Sequence, residues 1–193
     1  MLTSLPNLLT LSRIAVIPVL VGLLYWTTPW ASWLALLAFV AAAVTDYLDG
    51  YYARLMNDIS PLGRFLDPIA DKLMVAAVIL MLVASERVDG LVVLPALVIL
   101  CREILVSGLR EYLAEIQVPM PVSRLAKWKT TLQMVALGIL IVGDAGPGFL
   151  PVREIGELCL WIAAVLTFVT GYDYMVRGLH YMRASMESEQ KKL

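Results

Sequence analysis

Six long runs with few or no charged residues occupy most of the sequence and restrict what it can fold into. They span residues 14–26, 31–45, 73–85, 91–101, 130–143 and 158–171. With its flanking turns, each run approaches the roughly 20 residues that an α-helix needs to cross a bilayer. Apolar residues make up 60% of the chain and charged residues 16%, whereas soluble domains average about half and a quarter. The sequence therefore predicts an all-α integral membrane protein with six transmembrane helices.

The remaining composition excludes several other classes of protein. Only Arg13 precedes the first apolar run, and no small-residue cleavage site follows it, so a retained helix is favoured over a secretory signal. The net charge of -1 indicates no nucleic-acid partner, and both cysteines lie in apolar runs, where we expect neither a disulfide nor a metal. We find no linker or repeat and interpret residues 1–193 as one membrane domain.

Charged residues are concentrated at one end of the predicted bundle. In alternating spans, the start of an odd helix and the end of an even helix face the same compartment, and these positions hold most of the charges. An excess of Lys and Arg marks the cytoplasmic side. Asp71, Lys72 and Arg102 lie deeper, within predicted spans, and ionisable groups at such depth usually face a polar cavity. The pattern therefore predicts a polar cavity that faces the cytoplasm.

Four aspartates flank the junction between the second and third predicted helices. Asp46 and Asp49 are three residues apart, and Asp67 and Asp71 are four apart, so each pair lies on one helix face with about 5 to 6 Å between its members. A short connection predicts an antiparallel helix hairpin in which the two pairs face each other.

Four neighbouring carboxylates need cations to offset their repulsion. Two divalent ions would neutralise them, and an all-oxygen ligand set suits Mg²⁺ or Mn²⁺ better than zinc. Paired metals are a recurring device in phosphoryl transfer. Gly50, Ala53 and Gly63 lie one turn from the aspartates. Small residues also serve helix packing in membranes, but beside this cluster we interpret them as space for a nucleotide.

The spacing of these residues resembles the signature of a known family, the CDP-alcohol phosphatidyltransferases. The signature reads D-x-x-D-G-x-x-A-R, then eight residues, then G-x-x-x-D-x-x-x-D, and such fixed identities at fixed separations form a specific pattern. The matching positions are Asp46, Asp49, Gly50, Ala53, Arg54, Gly63, Asp67 and Asp71.

The resemblance implies a homodimer in a bacterial inner membrane, CDP-diacylglycerol as donor, and two divalent ions held by the four aspartates. It also implies that Asp71 is the base that deprotonates the acceptor hydroxyl. The expected CDP-lipid-binding residues are Asn7, Thr10, Arg13, Gly50, Ala53, Arg54, Ser60 and Gly63. For Asn7, Thr10 and Arg13, a capped start of the first helix is an equally good explanation. Ser60, before Pro61, is also the expected cap of the third helix.

Further segments, at residues 6–13, 70–72, 102–111 and 127–134, resemble the bacterial phosphatidylglycerophosphate synthases within that family. This resemblance implies sn-glycerol 3-phosphate as acceptor and phosphatidylglycerol phosphate and CMP as products. An acceptor that carries a phosphate calls for cations besides the metals. The candidates are Arg102, Arg110, Lys127 and Lys129.

Alternatives exist for these cations and for the function. The residues at the start of the fifth helix, Arg124 among them, also satisfy the positive-inside bias. Arg102 and Arg110 could pair with Glu103 and Glu111, although adjacent residues on a helix do not face each other. A cardiolipin synthase would use another acceptor, and a cation-coupled transporter would show inverted repeats or broken helices, which the sequence does not suggest.

Overall fold

The computed structural model describes residues 5–56, 61–116, 118 and 124–190, and within these ranges it contains helices and no strand. This confirms the predicted all-α class. The predicted start of the third helix at Pro61 is also confirmed, whereas the second helix runs two residues, Leu55 and Met56, into the loop expected at residues 55–59. The helices are α1 Leu5–Tyr25, α2 Pro29–Met56, α3 Pro61–Ala84, α4 Val93–Glu115, α5 Arg124–Val142 and α6 Val152–Gln190.

The six helices form a closed ring in an order that differs from their order in the chain. Around the ring, α1 is followed by α3, α4, α6, α5 and α2, and α2 packs against α1 again. The first helix therefore packs along both α2 and α3, the two helices that carry the aspartates. The longest helix, α6, packs against both α4 and α5, which carry most of the candidate cations.

Five of the six helices are long and apolar enough to cross a membrane, and α3 is the exception. With 24 residues, α3 is about 36 Å long at 1.5 Å per residue, so its length is sufficient. Asp67, Asp71 and Lys72 make its first half polar, while its second half is apolar. The chain is a multi-pass membrane protein whose third helix combines a spanning length with site residues.

The apolar core fills the half of the bundle away from the charged end. Leu24, Phe39, Val78, Leu137 and Leu160, from five different helices, are each 2% exposed or less. Large apolar side chains also cover the outside of the bundle, as shown by Leu37, Leu80 and Phe168, which are 61–66% exposed. So much exposed apolar surface would be unfavourable in water and matches a lipid-facing exterior.

Arg87 closes the end of the bundle opposite the charged end. From the turn after α3, its guanidinium donates to the Ser32 hydroxyl at 2.9 Å and to the Ile141 carbonyl. Burial lowers the pKa of Arg87 from its ordinary value, and nearby Asp144 acts in the opposite direction. The group still carries its charge at neutral pH, so it joins the ends of α2, α3 and α5 through charge-assisted hydrogen bonds.

We expect Arg87→Met to lower the free energy of unfolding by about 2 kcal/mol, because the hydrogen bonds to a charged donor are lost and the Ile141 carbonyl loses its partner. Thermal unfolding in detergent measures the change. The matched control is Arg177→Met, which removes a 63% exposed guanidinium paired with Asp173 and should change stability by less than about 0.5 kcal/mol. Equal losses in the two variants would contradict the role given to Arg87.

Candidate active site in a two-part cavity

A polar cavity of about 450 Å³ lies at the charged end of the bundle, and we call it the polar chamber. Its acidic side chains come mainly from α2 and α3, and its basic side chains mainly from α4 and α5. Its charged lining residues are Asp46, Asp67, Asp71, Lys72, Arg102, Glu103, Arg110 and Lys129. The structure therefore brings carboxylates together with Lys and Arg side chains, which commonly bind phosphate, in one cavity.

Two side chains of α1 hold the aspartates of the chamber. The Arg13 side chain is fully buried, and its Nη1 lies 2.6 Å from Asp46 Oδ1 on α2. The Thr10 hydroxyl, also buried, donates to Asp67 Oδ1 on α3 at 2.6 Å. Residues 10 and 13 are three apart and share one helix face. The first helix therefore connects the two aspartate-bearing helices and orients one carboxylate of each.

A second set of contacts organises the basic side of the chamber. Lys129, only 1% exposed, forms an ion pair with Glu103, and Arg102 Nη1 lies 3.7 Å from the same carboxylate. Lys72 donates to the Ser107 hydroxyl. One partly buried acid, Glu103, thus holds two cations from α4 and α5 close together.

An apolar groove of about 820 Å³ adjoins the polar chamber. It lies between α2 and α5, with Met74 of α3 in its lining, and extends to Pro147 and Val152 at the opposite end of the bundle. Several of its residues, including Val44 and Val135, are about half exposed on the outer surface of the bundle. Asp46, Asp71 and Thr130 line both spaces, so the groove leads directly to the aspartates.

The carboxylates fit a hard divalent cation in their chemistry, because they supply oxygen ligands in a polar space. In the part of the chain that the structure describes, no three acidic, histidine or cysteine side chains form a metal-binding group. The set that the signature predicts includes Asp49, which belongs to α2 but whose side chain lies outside the described residues.

Comparison with known proteins identifies the family. The model of the CDP-alcohol phosphatidyltransferase family matches residues 3–169. The chain belongs to this family. It is therefore a phosphatidyltransferase, and members of this family generally depend on divalent metal ions.

Individual relatives are similar over most of the chain. A protein of Rickettsia typhi named CDP-diacylglycerol--glycerol-3-phosphate 3-phosphatidyltransferase is 53% identical over 89% of this chain and 94% of its own length. A protein of Pectobacterium atrosepticum with the same name is 44% identical over 92% of this chain and 96% of its own length. A cardiolipin synthase (CMP-forming) of Oryza sativa is 45% identical over 72% of this chain and 46% of its own length.

In this phosphatidyltransferase, most of the described candidate residues lie in or next to the polar chamber. Lys127 differs, because its side chain is exposed and is not part of the chamber lining. Gly63 is buried on α3. Thr10 and Arg13 contact aspartates. Neither of the two interpretations of these residues, as nucleotide contacts or as part of a helix cap, had predicted this arrangement. The remaining candidates lie wholly or partly outside the described residues. These are the side chains of Asn7, Asp49, Ala53 and Arg54, the surroundings of Gly50, and the whole of Ser60.

Sequence reasoning did not assign Glu103 or Tyr174 to the site, although both line the chamber together with Lys72, which was expected to face a polar cavity. Glu103 was considered only as a partner of Arg102, its neighbour in the chain. The sequence does hold one signal for its closer partner, Lys129. Glu103 follows the apolar run 91–101, and Lys129 precedes the apolar run 130–143. The end of α4 and the start of α5 lie on the same side of the membrane, so the two charged residues are expected at the same end of the bundle.

We expect Glu103→Gln to lower the free energy of unfolding by about 3 kcal/mol, because the buried Lys129 ammonium loses its counterion. Thermal unfolding in detergent is the measurement. Adding Lys129→Met should recover much of this loss while CMP release stays low, because the cation is gone. As a control, Glu157→Gln removes the partner of Arg153 at the opposite end and should cost less than about 1 kcal/mol. A double variant no more stable than Glu103→Gln would refute the pairing.

Proposed function

We propose that this chain transfers the phosphatidyl group of CDP-diacylglycerol to sn-glycerol 3-phosphate and releases phosphatidylglycerol phosphate and CMP. The observation that carries the proposal is that the apolar groove and the polar chamber share Asp46 and Asp71. Such a space suits a reaction between a lipid and a small charged molecule. Both substrates occur in the names of the relatives from Rickettsia typhi and Pectobacterium atrosepticum.

The shape of the cavity favours one orientation of the donor lipid. Its acyl chains would lie in the groove between α2 and α5, whose half-exposed apolar wall adjoins the surrounding lipid. Its pyrophosphate would then lie at the shared aspartates. The family resemblance implies that the cytidine binds near Gly50, Ala53, Arg54 and Gly63. These residues belong to the last part of α2 and the start of α3, on the same side of the bundle as the aspartates.

The acceptor phosphate fits the basic side of the chamber. Arg102, Arg110 and Lys129 line it together with Lys72. Arg102 Nε is buried and has no hydrogen-bond partner among the described residues, so the guanidinium is not saturated by its protein contacts. Guanidinium groups bind phosphate through two donors at once, while ammonium groups act as point charges. An acceptor without a phosphate would not need so many cations.

The chemistry assigned to this site is a phosphoryl transfer with one proton transfer. The acceptor hydroxyl oxygen forms a bond to the phosphorus that carries diacylglycerol, and the bond from that phosphorus to the CMP oxygen breaks. CMP leaves with the electron pair, and Asp71 accepts the hydroxyl proton. Because Asp71 lines both the groove and the chamber, it would lie between the donor lipid and the acceptor.

Asp46, Asp49, Asp67 and Asp71 would hold two divalent ions, Mg²⁺ or Mn²⁺. When bound, such ions offset the charge of the phosphate oxygens and lower the pKa of an acceptor hydroxyl. Arg13 and Thr10 would keep Asp46 and Asp67 oriented for this purpose, since each accepts a contact from a buried side chain of α1.

The same proposal includes the location and assembly of the enzyme. The excess of Lys and Arg at the chamber end supports a cytoplasm-facing site, and the bacterial relatives support the inner membrane. The homodimer rests on the family resemblance, and cross-linking in native membranes tests it. An engineered cysteine at Lys127, which is exposed at the chamber end, should react with an impermeant thiol reagent only from the cytoplasmic side.

The acceptor is tested by CMP release from CDP-diacylglycerol with a panel of alcohols at saturating Mg²⁺. We expect glycerol 3-phosphate to give by far the highest kcat/KM, and glycerol, serine and phosphatidylglycerol to give little. Faster release with phosphatidylglycerol would favour the cardiolipin synthase alternative, which the relative from Oryza sativa keeps relevant. No release with any acceptor would contradict the proposed function.

We expect Asp71→Asn to lower kcat at least about 100-fold even at saturating metal, because an amide cannot accept the proton. Asp46→Asn should lose activity at low metal concentration and regain part of it in excess Mg²⁺ or Mn²⁺. Titrating both variants side by side, with CMP release as readout, makes the comparison. If Asp71→Asn regains activity as far as Asp46→Asn does, Asp71 is not the base.

A further inference from the structure

The side chain of Arg102 crosses α6 at Gly171. A Cβ atom added at Gly171 would lie 2.8 Å from Arg102 Cγ and 3.4 Å from Arg102 Nε. Side chains do not approach each other so closely, so any larger residue would displace the arginine. Only the absence of a side chain at Gly171 lets Arg102 follow its observed path, and α6 holds no residue of the family signature.

Two further residues of α6 contact the guanidinium that lies over Gly171. Arg102 Nη2 donates to the Thr170 hydroxyl at 3.4 Å, and Arg102 Cζ lies 5.9 Å from the centre of the Tyr174 ring. That distance is within the range of a cation–π interaction. Thr170 and Tyr174 are both buried. Thr170, Gly171 and Tyr174 together form a contact surface on α6 for the end of the Arg102 side chain.

We propose that Gly171, together with Thr170 and Tyr174, positions Arg102 to bind the phosphate of the acceptor. The inference rests on the proposed function, which assigns Arg102 to that phosphate. Arginine recognises phosphate through a directional fork of two donors, so the orientation of its guanidinium matters as much as its charge. A displacement at Cγ is carried along the side chain to the guanidinium, away from the chamber position it now lines.

The chain contains a matched control on the same helix. Gly178 lies seven residues after Gly171, two turns along α6, and also faces α4. A Cβ atom at Gly178 would lie 2.7 Å from Leu109 Cδ2, so Gly178→Ala creates a similar steric conflict between the same two helices. Leu109 is a buried apolar residue that is not part of the chamber lining. Gly171→Ala therefore displaces Arg102, whereas Gly178→Ala displaces Leu109.

The experiment measures KM for glycerol 3-phosphate and for CDP-diacylglycerol in Gly171→Ala, Gly178→Ala and Arg102→Ala. We expect Gly171→Ala to raise the acceptor KM about tenfold, since small misplacements at a binding site have large effects, and to leave the donor KM within about twofold. Gly178→Ala should change neither constant. Equal effects of the two glycine variants, or equal effects on both substrates, would overturn the inference.

A double variant tests whether Gly171 acts through Arg102. Gly171→Ala should add nothing to the acceptor KM when Arg102 is already alanine, and a further increase would show an independent role. If Arg102→Ala itself leaves the acceptor KM unchanged, the proposed acceptor site is wrong and this inference falls with it. If Arg102→Ala raises that KM while Gly171→Ala behaves like Gly178→Ala, only the inference falls.

A second pair of variants applies if Gly171→Ala does not fold. Thr170→Val removes the hydroxyl that accepts from Arg102 at nearly constant volume, and Thr167→Val makes the same change one turn earlier on α6. We expect only Thr170→Val to raise the acceptor KM. No increase, or the same increase in both variants, would count against positioning by α6.

Discussion

The structure depends on how ionised side chains are paired inside a bundle that is apolar on the outside. A buried charge without a partner is strongly unfavourable, and lipid offers none. Among the side chains that the structure describes, the two most buried cations are Arg13 and Lys129, and they form ion pairs with Asp46 and Glu103 on neighbouring helices. Each pair joins two helices at the charged end: α1 with α2, and α5 with α4. The polar chamber lies where these pairs meet.

The division of the bundle into an apolar half and a polar half follows from the same requirement. Apolar side chains from all the helices pack closely in the interior of the half near Arg87. The polar chamber opens at the charged end, and the apolar groove runs from it along α2 and α5 toward the opposite end. In the proposed function, a lipid and a charged alcohol meet at Asp71, which lines both of these spaces.

Individual residues show how far the sequence could predict the site. Asp46, Asp67 and Asp71 were predicted from the spacing of the aspartates, and Arg102 and Lys129 were predicted because each is a charged residue beside an apolar run. Glu103 was not assigned, since its partner is 26 positions away on another helix. Thr170 and Gly171 carry no charge and look like ordinary components of a membrane helix. Only their contacts with Arg102 connect them to the site.

The sequence by itself determined the helical class, the end of the bundle that holds the charges, and the aspartates, because hydropathy and i, i+4 spacing are local properties. Only the tertiary structure decided the order of the helices in the ring, and with it the contacts of α1 with both aspartate-bearing helices and of α6 with Arg102. The physical reason is that a membrane helix is apolar on its lipid-facing side and on its core-facing side alike. Hydrophobic periodicity, which reveals the buried face of a helix in water, therefore does not indicate which helices are neighbours.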